Sequence, residues 1–269
     1  MDEAQRKAFI RQTFDTVSVG YDREALRFFG DSAGHMAEQL QLKGDEHVLD
    51  VATGTGAVAL TLARRLPGGR VTGIDLSTGM LGRAEAKAAE LGLGNTSFQA
   101  MDMTCLNFPS DHFHGATAAF SLFFVVDMEA CLRGIVRHLK PGGHVVACAF
   151  TEDAFIPHVD LFFERIQAYG VELPPMSWKR MCHEDANHEL FAAAGLENVR
   201  TTRRDLSYPL GDAEAWWDVI WYAGFRGLVG QLAEEDLARF RAEHLAEIAA
   251  LGDIPLRVEV IYAVGSKPV

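Results

Sequence analysis

The chain is poor in positive charge and in cysteine, and it lacks a long hydrophobic run. Its 25 Lys and Arg residues face 37 Asp and Glu residues, a formal net charge of −12, so we expect no nucleic-acid partner because the charge to neutralise phosphates is missing. The four cysteines show no C-x-x-C spacing, which indicates reduced core thiols. The longest strongly apolar run, around 115–126, is too short to cross a bilayer. With no apolar signal segment at the start, these features predict a cytoplasmic protein without a membrane span.

The chain does contain an alternation of β-prone and helical segments. Strands are predicted at 47–51, 70–75, 96–100, 115–120, 144–150, 198–207 and 256–265. Helices between them predict an α/β, doubly wound, Rossmann-like sheet of about seven strands.

Helix boundaries can be predicted from capping residues. Ser77 and Asp127 are expected N-caps. The run Pro141-Gly142-Gly143 is expected to end a helix just before the strand at 144–150. The region before the first strand is predicted as helical at 3–14 and 22–41.

A glycine turn follows the first strand, where residues 48–56 read VLDVATGTG. Gly54 and Gly56 permit positive φ and let a ligand approach the backbone, and the helix after them directs free N–H groups toward that ligand. Asp75 ends the second strand, 21 residues after Gly54, where a carboxylate can accept hydrogen bonds from both ribose hydroxyls. The alternative is a tight strand–helix turn, with Asp75 capping the helix that Ser77 begins. The spacing favours a nucleotide-containing cofactor.

Two cofactor classes share this layout. A nicotinamide fold uses G-x-G-x-x-G, which residues 54–59 match only in the form ending in alanine. Asp50, inside the first strand, would repel a pyrophosphate, whereas it suits an ammonium or a sulfonium. S-adenosylmethionine is therefore favoured, and an NAD(P)-dependent oxidoreductase remains the alternative.

Four blocks resemble the class I S-adenosylmethionine-dependent methyltransferases, particularly the ubiquinone/menaquinone-biosynthesis C-methyltransferase branch. The blocks are 49–56 (LDVATGTG), 73–81 (GIDLSTGML), 99–109 (QAMDMTCLNFP) and 139–143 (LKPGG). Ala52 stands where many members have glycine. The resemblance covers residues 45–151 well, and it implies an antiparallel last strand, methyl transfer to a small-molecule acceptor, and S-adenosylhomocysteine as product.

The spacing and the resemblance together give candidate cofactor-binding residues. Those expected around the methionine portion are Tyr21, Asp50, Ala52, Thr53, Gly54 and Gly56, with Tyr21 reaching the carboxylate and Asp50 orienting the loop or the ammonium. Those expected around adenosine are Asp75 on the ribose, Leu76 and Met80 against the rings, Asp102 on the adenine amino group and Met103 beside it. Phe120 and Ser121 are expected where the methyl group emerges. Core packing is the alternative for Leu76 and Met80, a strand-end turn for Asp102, and an ordinary helix-start aromatic for Tyr21.

One methyltransferase domain is predicted over 1–269. Its cofactor-binding core is expected at 42–151, and its cap elements at 1–41, 152–183 and 208–254. A stripe formed by Trp217, Ile220, Trp221, Phe225 and Leu228 has helical spacing, which favours a helix docked on its neighbours over an aromatic lid.

Catalytic residues are less well marked. In-line alignment and exclusion of water can supply on the order of 7–11 kcal/mol, so a catalytic triad is not required. His158, His183 and His188 are weak candidate bases, with surface or capping roles as the alternative. His112 and His114 lack a third ligand, and no metal is assigned. A catalytically silent cofactor-binding protein also remains open, as do the acceptor, the methylated atom and the oligomeric state.

Overall fold

A seven-stranded mixed sheet organises residues 2–269, the part of the chain that this computed structural model describes. The strands are β1 (His47–Val51), β2 (Arg70–Asp75), β3 (Thr96–Ala100), β4 (Phe113–Ala119), β5 (Leu139–Phe150), β6 (Glu197–Asp205) and β7 (Glu259–Ser266). Their order across the sheet is β3-β2-β1-β4-β5-β7-β6. Strands β1 to β5 pair in parallel, while β7 is antiparallel to both β5 and β6. The predicted doubly wound sheet with an antiparallel last strand is confirmed.

Helices cover the sheet and extend beyond its edge. They are α1 (Glu3–Val17), α2 (Phe28–Gln39), α3 (Ala57–Arg65), α4 (Thr78–Glu90), α5 (Met128–Arg137), α6 (His158–Ala168), α7 (Glu184–Ala193), α8 (Ala213–Tyr222), α9 (Arg226–Val229) and α10 (Glu234–Ala250). Short 3₁₀ turns lie at Glu24–Leu26, Leu122–Phe124 and Ser177–Met181.

Burial of the central strands explains their apolar sequence and fixes their register. All five residues of β1 are buried, as expected for a parallel strand covered on both faces. Val51 pairs with Ile74 of β2 and with Ala118 of β4. The three strands therefore end at the same edge, and the residues that follow them come together there.

Several predicted boundaries differ from the structure. The helix expected at 22–41 is a 3₁₀ turn followed by the shorter α2. Pro141-Gly142-Gly143 does not stop a helix, because α5 has already ended at Arg137 and these residues lie within β5. A glycine that pairs at the end of a strand has the same sequence signature as one that ends a helix. The predicted N-caps are confirmed, since Ser77 accepts from the Met80 N–H and Asp127 from the Ala130 N–H.

The tryptophan-rich stripe belongs to two helices rather than one. α8 ends at Tyr222 and α9 begins at Arg226, so Phe225 and Leu228 do not continue the face of α8. Trp216 and Trp217 are buried, and the Trp216 indole N–H donates to His244 in α10. The tryptophans are thus packing residues between helices.

No helix in residues 2–269 is both long and apolar enough to cross a bilayer.

A buried hydrogen bond joins the segment after β6 to the start of the chain. Tyr208 pairs with Leu256 in an isolated bridge, and its hydroxyl donates to the Ala25 carbonyl over 2.6 Å. This contact fixes the 3₁₀ turn at Glu24–Leu26 and hence the position of the nearby Tyr21.

We expect Tyr208→Phe to lower the free energy of unfolding by about 1–3 kcal/mol, because the Ala25 carbonyl is left without a partner. Urea unfolding followed by circular dichroism measures the loss. Tyr169→Phe is the control: its hydroxyl bonds to Glu243 at the surface, and its loss is expected to cost only about 0.5 kcal/mol. Equal losses in the two variants would contradict this account.

Candidate active site

Three cavities lie at the edge where β1, β2 and β4 end, and all three are lined by Tyr21 and Phe120. The loop cavity, about 260 Å³, is lined mainly by residues from 21–31 and 52–58. The Asp75 cavity, about 80 Å³, lies against Asp75 and the start of α4. The phenylalanine cavity is the largest, at about 660 Å³.

Left-handed backbone shapes the glycine loop, residues 52–56. The angle φ is +53° at Ala52, +56° at Gly54 and +84° at Gly56. Glycine adopts such angles without penalty, whereas Ala52 does so at a small steric cost. A Cβ on Gly56 would lie 3.0 Å from the Ala84 Cβ, so glycine also allows close packing of the loop on α4. Gly54 exposes backbone to both smaller cavities.

Asp75 connects the end of β2 to the glycine loop and to α4. One carboxylate oxygen accepts the Gly54 N–H over 2.8 Å, and the other accepts the Ser77 N–H over 2.9 Å. Burial raises the pKa of Asp75, against the lowering effect of these two hydrogen bonds. Leu76 and Met80 line the same cavity. The Asp75 carboxylate therefore faces the cavity while it holds the loop.

Asp50 lies beneath the loop and is almost completely buried. The Thr53 and Thr117 hydroxyls each donate to one of its oxygens over 2.6 Å. Burial raises the pKa of Asp50 to about 6, although these hydrogen bonds act in the opposite direction. Asp50 thus fixes Thr53 in the loop, and it also lines the loop cavity.

Two aspartates fasten the N-terminal segment over the loop. Asp15 accepts from the Ser77 hydroxyl over 2.6 Å and from the Gly79 N–H over 3.0 Å. Asp22 accepts from the Thr55 hydroxyl and the Lys87 ammonium, each over 2.7 Å. These contacts set the position of the intervening Tyr21.

The Tyr21 ring stacks on Phe29 with centroids 4.7 Å apart. Burial, followed by the negative charges of Asp75 and Asp22, raises the pKa of Tyr21. The phenol therefore keeps its proton at neutral pH.

Asp102 is bound to α1 rather than open to a cavity. It forms an ion pair of 2.8 Å with Lys7 and accepts from the backbone N–H and the hydroxyl of Thr104. Burial acts to raise the pKa of Asp102, but the hydrogen bonds from Lys7 and Thr104 hold it below its usual value. Met103 does line the Asp75 cavity, together with Met101, which sequence reasoning missed.

The residues after β4 separate the cavities. Phe120 has φ of +48°, its N–H donates to the Cys148 carbonyl, and its ring stacks on Phe150 with centroids 4.5 Å apart. The next residue, Ser121, lines the Asp75 cavity. Its hydroxyl is buried and has no partner among residues 2–269. A buried hydroxyl without a partner is costly unless a ligand satisfies it.

Eleven of the 17 phenylalanines line the phenylalanine cavity. They are Phe9, Phe14, Phe28, Phe29, Phe120, Phe123, Phe124, Phe150, Phe155, Phe163 and Phe225. Sequence reasoning missed this wall, because its members come from elements far apart in the chain and share no periodicity. The one available signal was the number of phenylalanines itself.

The candidate bases from the sequence do not line any of these cavities. His158 is buried against Trp216, and burial lowers its pKa. His183 is exposed near Glu152, and His188 lies 3.4 Å from the Thr201 hydroxyl. Trp216, Trp217 and Trp221 are also absent from the three linings.

The His112-Phe113-His114 segment is held by local contacts. The His114 ring accepts the His47 backbone N–H through Nδ1, and its Nε2 lies 2.8 Å from the Lys140 ammonium. Across residues 2–269, no group of three His, Cys, Asp or Glu side chains has a metal-binding arrangement.

Comparisons with known proteins agree with this fold. Residues 48–143 match a family described as a methyltransferase domain. The ubiquinone/menaquinone biosynthesis C-methyltransferase UbiE of Geotalea daltonii is 35% identical over 153 residues, 55% of this chain and 65% of that protein. A nocamycin O-methyltransferase from Saccharothrix syringae is 30% identical over 270 residues, 94% of this chain and 96% of that protein. The YcgJ protein from Bacillus subtilis has the same fold, with a TM-score of 0.61 at 21% identity, covering 89% of this chain and 99% of that chain.

These matches, together with the Rossmann-like sheet and the glycine loop, define a methyltransferase. The chain belongs to the class I S-adenosylmethionine-dependent methyltransferases, and it resembles the UbiE branch. Its cofactor is S-adenosylmethionine, and S-adenosylhomocysteine is the product.

The side chains present fit this cofactor. Groups of both charge signs line the loop cavity, as a zwitterionic amino acid beside a sulfonium requires: Asp22, Arg23, Glu24, Arg27, Asp31 and Asp50. The half-buried Asp75 and the unpartnered Ser121 hydroxyl are polar groups that would suit a nucleoside in the adjoining cavity.

We expect Asp75→Asn to weaken S-adenosylhomocysteine binding at least about tenfold, roughly 1.4 kcal/mol. Asparagine keeps one acceptor oxygen and places an NH₂ group against one of the two backbone donors. Isothermal titration calorimetry measures the affinity. Asp111→Asn is the matched control, because Asp111 pairs with Lys267 at the surface. Wild-type affinity in Asp75→Asn would refute the role of this carboxylate.

Proposed function

We propose that the protein transfers the methyl group to an apolar small molecule bound in the phenylalanine cavity, by in-line displacement. The observation that supports this most directly is that Tyr21 and Phe120 line all three cavities. A cofactor in the two smaller cavities and an acceptor in the largest one would meet at these residues.

In this proposal Asp75 accepts hydrogen bonds from the ribose hydroxyls. Each of its oxygens already accepts one backbone N–H, and a carboxylate oxygen has a second lone pair available. Leu76, Met80 and Met103 supply apolar surface for the adenosine rings, and Ser121 gains the partner that it lacks within the protein.

The methionine portion would occupy the loop cavity. Ala52, Thr53, Gly54 and Gly56 give the loop its shape, and Asp50 orients it through Thr53. The Tyr21 hydroxyl has the protonation state needed to donate to the methionine carboxylate.

We assign Asp102 a role different from the one that the resemblance implies. Because its carboxylate is engaged by Lys7 of α1, we propose that it holds this helix over the cofactor. Three residues of the helix, Ile10, Arg11 and Phe14, line the Asp75 cavity, so the ion pair would help to close that cavity around adenosine.

We also propose a division into a cofactor-binding core at 42–151 and cap elements at 1–41, 152–183 and 208–254. Each cap element contributes to the phenylalanine cavity: Phe9 and Phe28 from the first, Phe163 and Trp178 from the second, and Phe225 from the third. The acceptor would therefore be recognised mainly by the cap.

An apolar cavity suits in-line methyl transfer. Holding the nucleophile, the methyl carbon and the sulfur in line can supply on the order of 7–11 kcal/mol of the barrier reduction. Aromatic walls bury the flat faces of a ring-containing acceptor, and they exclude the water that would compete for the methyl group. The protein's part in the reaction is thus alignment and desolvation.

Two glycines allow the two binding functions to be tested separately. Gly224 lines the phenylalanine cavity and Gly30 the loop cavity, and a Cβ on either residue would meet no other atom within 4 Å. We expect Gly224→Leu to weaken binding of 2-naphthol about tenfold and to leave S-adenosylhomocysteine affinity within about twofold. Gly30→Leu should give the reverse pattern.

Calorimetric titration of each variant with both compounds measures these affinities. Loss of both affinities in either variant, with wild-type unfolding midpoints, would contradict the separation of the two sites. An absence of methyl transfer to any apolar ring compound, while the cofactor still binds, would refute the proposed function.

A further inference from the structure

Ionisable side chains are scarce in the wall of the phenylalanine cavity. Among its lining residues within 2–269, those that ionise are Tyr21 and Glu172. The remaining polar side chains are Ser177, Gln231 and the indole of Trp178, and no histidine, lysine, cysteine or aspartate is present. A protein group able to remove a proton from the acceptor must therefore be sought in this short list or on the cofactor side.

Neither residue of the short list is placed to act as a base. Tyr21 keeps its proton, as described above, and so it can donate a hydrogen bond but not accept a proton. Glu172 is solvent-exposed, in the loop between α6 and the 3₁₀ turn at Ser177–Met181. It lies at the open rim of the cavity, whereas the cofactor cavities adjoin at Tyr21 and Phe120.

The charged groups on the cofactor side are mostly engaged by protein partners. Those lining the two smaller cavities are Arg11, Asp22, Arg23, Glu24, Arg27, Asp31, Asp50 and Asp75. The oxygens of Asp50 and Asp75 already accept hydrogen bonds, and Asp22 is bound by Thr55 and Lys87. None of these carboxylates lines the phenylalanine cavity.

We propose, on the basis of the function proposed above, that the acceptor is an apolar, ring-containing phenol or enol that reacts at oxygen as its anion. The acceptor brings its own nucleophile, already ionised, and the protein supplies no base. The cavity wall recognises the hydrocarbon rings, and the positive charge of the cofactor's sulfonium offsets the desolvation of the anion.

The transfer step balances without a proton acceptor. A lone pair of the acceptor oxygen attacks the methyl carbon and forms a C–O bond. The C–S bond breaks, and its electron pair stays on sulfur as a neutral thioether. The negative charge of the acceptor and the positive charge of the sulfonium are both lost in this step. A medium of low dielectric constant favours the neutral products over the charged reactants.

Attack by a ring carbon would have a different requirement. The new C–C bond would leave a hydrogen on the methylated carbon, and that proton must be removed to restore an aromatic ring. The phenylalanine cavity has no placed group for this task. The scarcity of ionisable groups thus selects oxygen over an aromatic carbon as the methylated atom.

The test uses 2-naphthol, ring-substituted 2-naphthols of increasing acidity, and 2-aminonaphthalene as a matched neutral nucleophile. We expect kcat/KM to rise with pH and to level off above the solution pKa of each naphthol. The midpoint of each pH profile should therefore equal the pKa of the naphthol used, and it should shift from one naphthol to the next. Methylation of the amine should be at least about tenfold slower than that of the most acidic naphthol at neutral pH. Mass spectrometry and NMR of the products should locate the methyl group on oxygen.

Three results would overturn the inference while leaving methyl transfer itself intact. They are a midpoint that stays fixed across the naphthols, an amine methylated as fast as the naphthols, and a product methylated on carbon. Glu172→Gln extends the test. If Glu172 is not the base, the midpoint of the kcat/KM–pH profile should be the same in this variant as in the wild-type protein. A shift or loss of the pH dependence in that variant would identify Glu172 as the proton acceptor and would also overturn the proposal.

Discussion

The site depends on one carboxylate that receives two backbone N–H groups. Asp75 joins the end of β2 to the glycine loop through Gly54 and to the start of α4 through Ser77. Because three separate elements converge on one side chain, their positions at the sheet edge are set together. A second carboxylate, that of the buried Asp50, lies below the loop and accepts from the Thr53 and Thr117 hydroxyls. Two carboxylates held this close to the loop suit a cationic cofactor and oppose a pyrophosphate.

Local sequence was sufficient to predict the strands, the loop and the helices that frame the cofactor half. The strand–glycine–helix pattern at 48–56, the acid at Asp75 and the N-cap at Ser77 each depend on residues near one another in the chain, so their geometry follows from short-range rules. The Pro141-Gly142-Gly143 turn was misassigned for the same reason. The register between β4 and β5 passes over these residues, and Gly142 and Gly143 form backbone hydrogen bonds with Lys267 instead, which no local pattern reveals.

The acceptor half could not be predicted in this way. The wall of the large cavity brings together Phe9 of α1, Phe155 after β5 and Phe225 before α9, and only the folded chain places them side by side. Similarly, Asp102 has the sequence context of an adenine-binding acid, but it forms an ion pair with Lys7, 95 positions earlier in the sequence. The family match at 48–143 excludes most of the phenylalanines in that wall. The matched region therefore contains the glycine loop and Asp75, whereas most of the wall of the large cavity lies outside it.

Tyr21 and Phe120 line all three cavities at this edge. A ligand that changes the rotamer or the mobility of either ring in one cavity therefore changes the wall of the other two. A donor that immobilises the two rings reduces the ordering cost left for a second ligand next to them. Thermodynamic linkage requires the acceptor to strengthen retention of the donor by the same factor. The two shared rings would in this way make occupancy of the compartments cooperative.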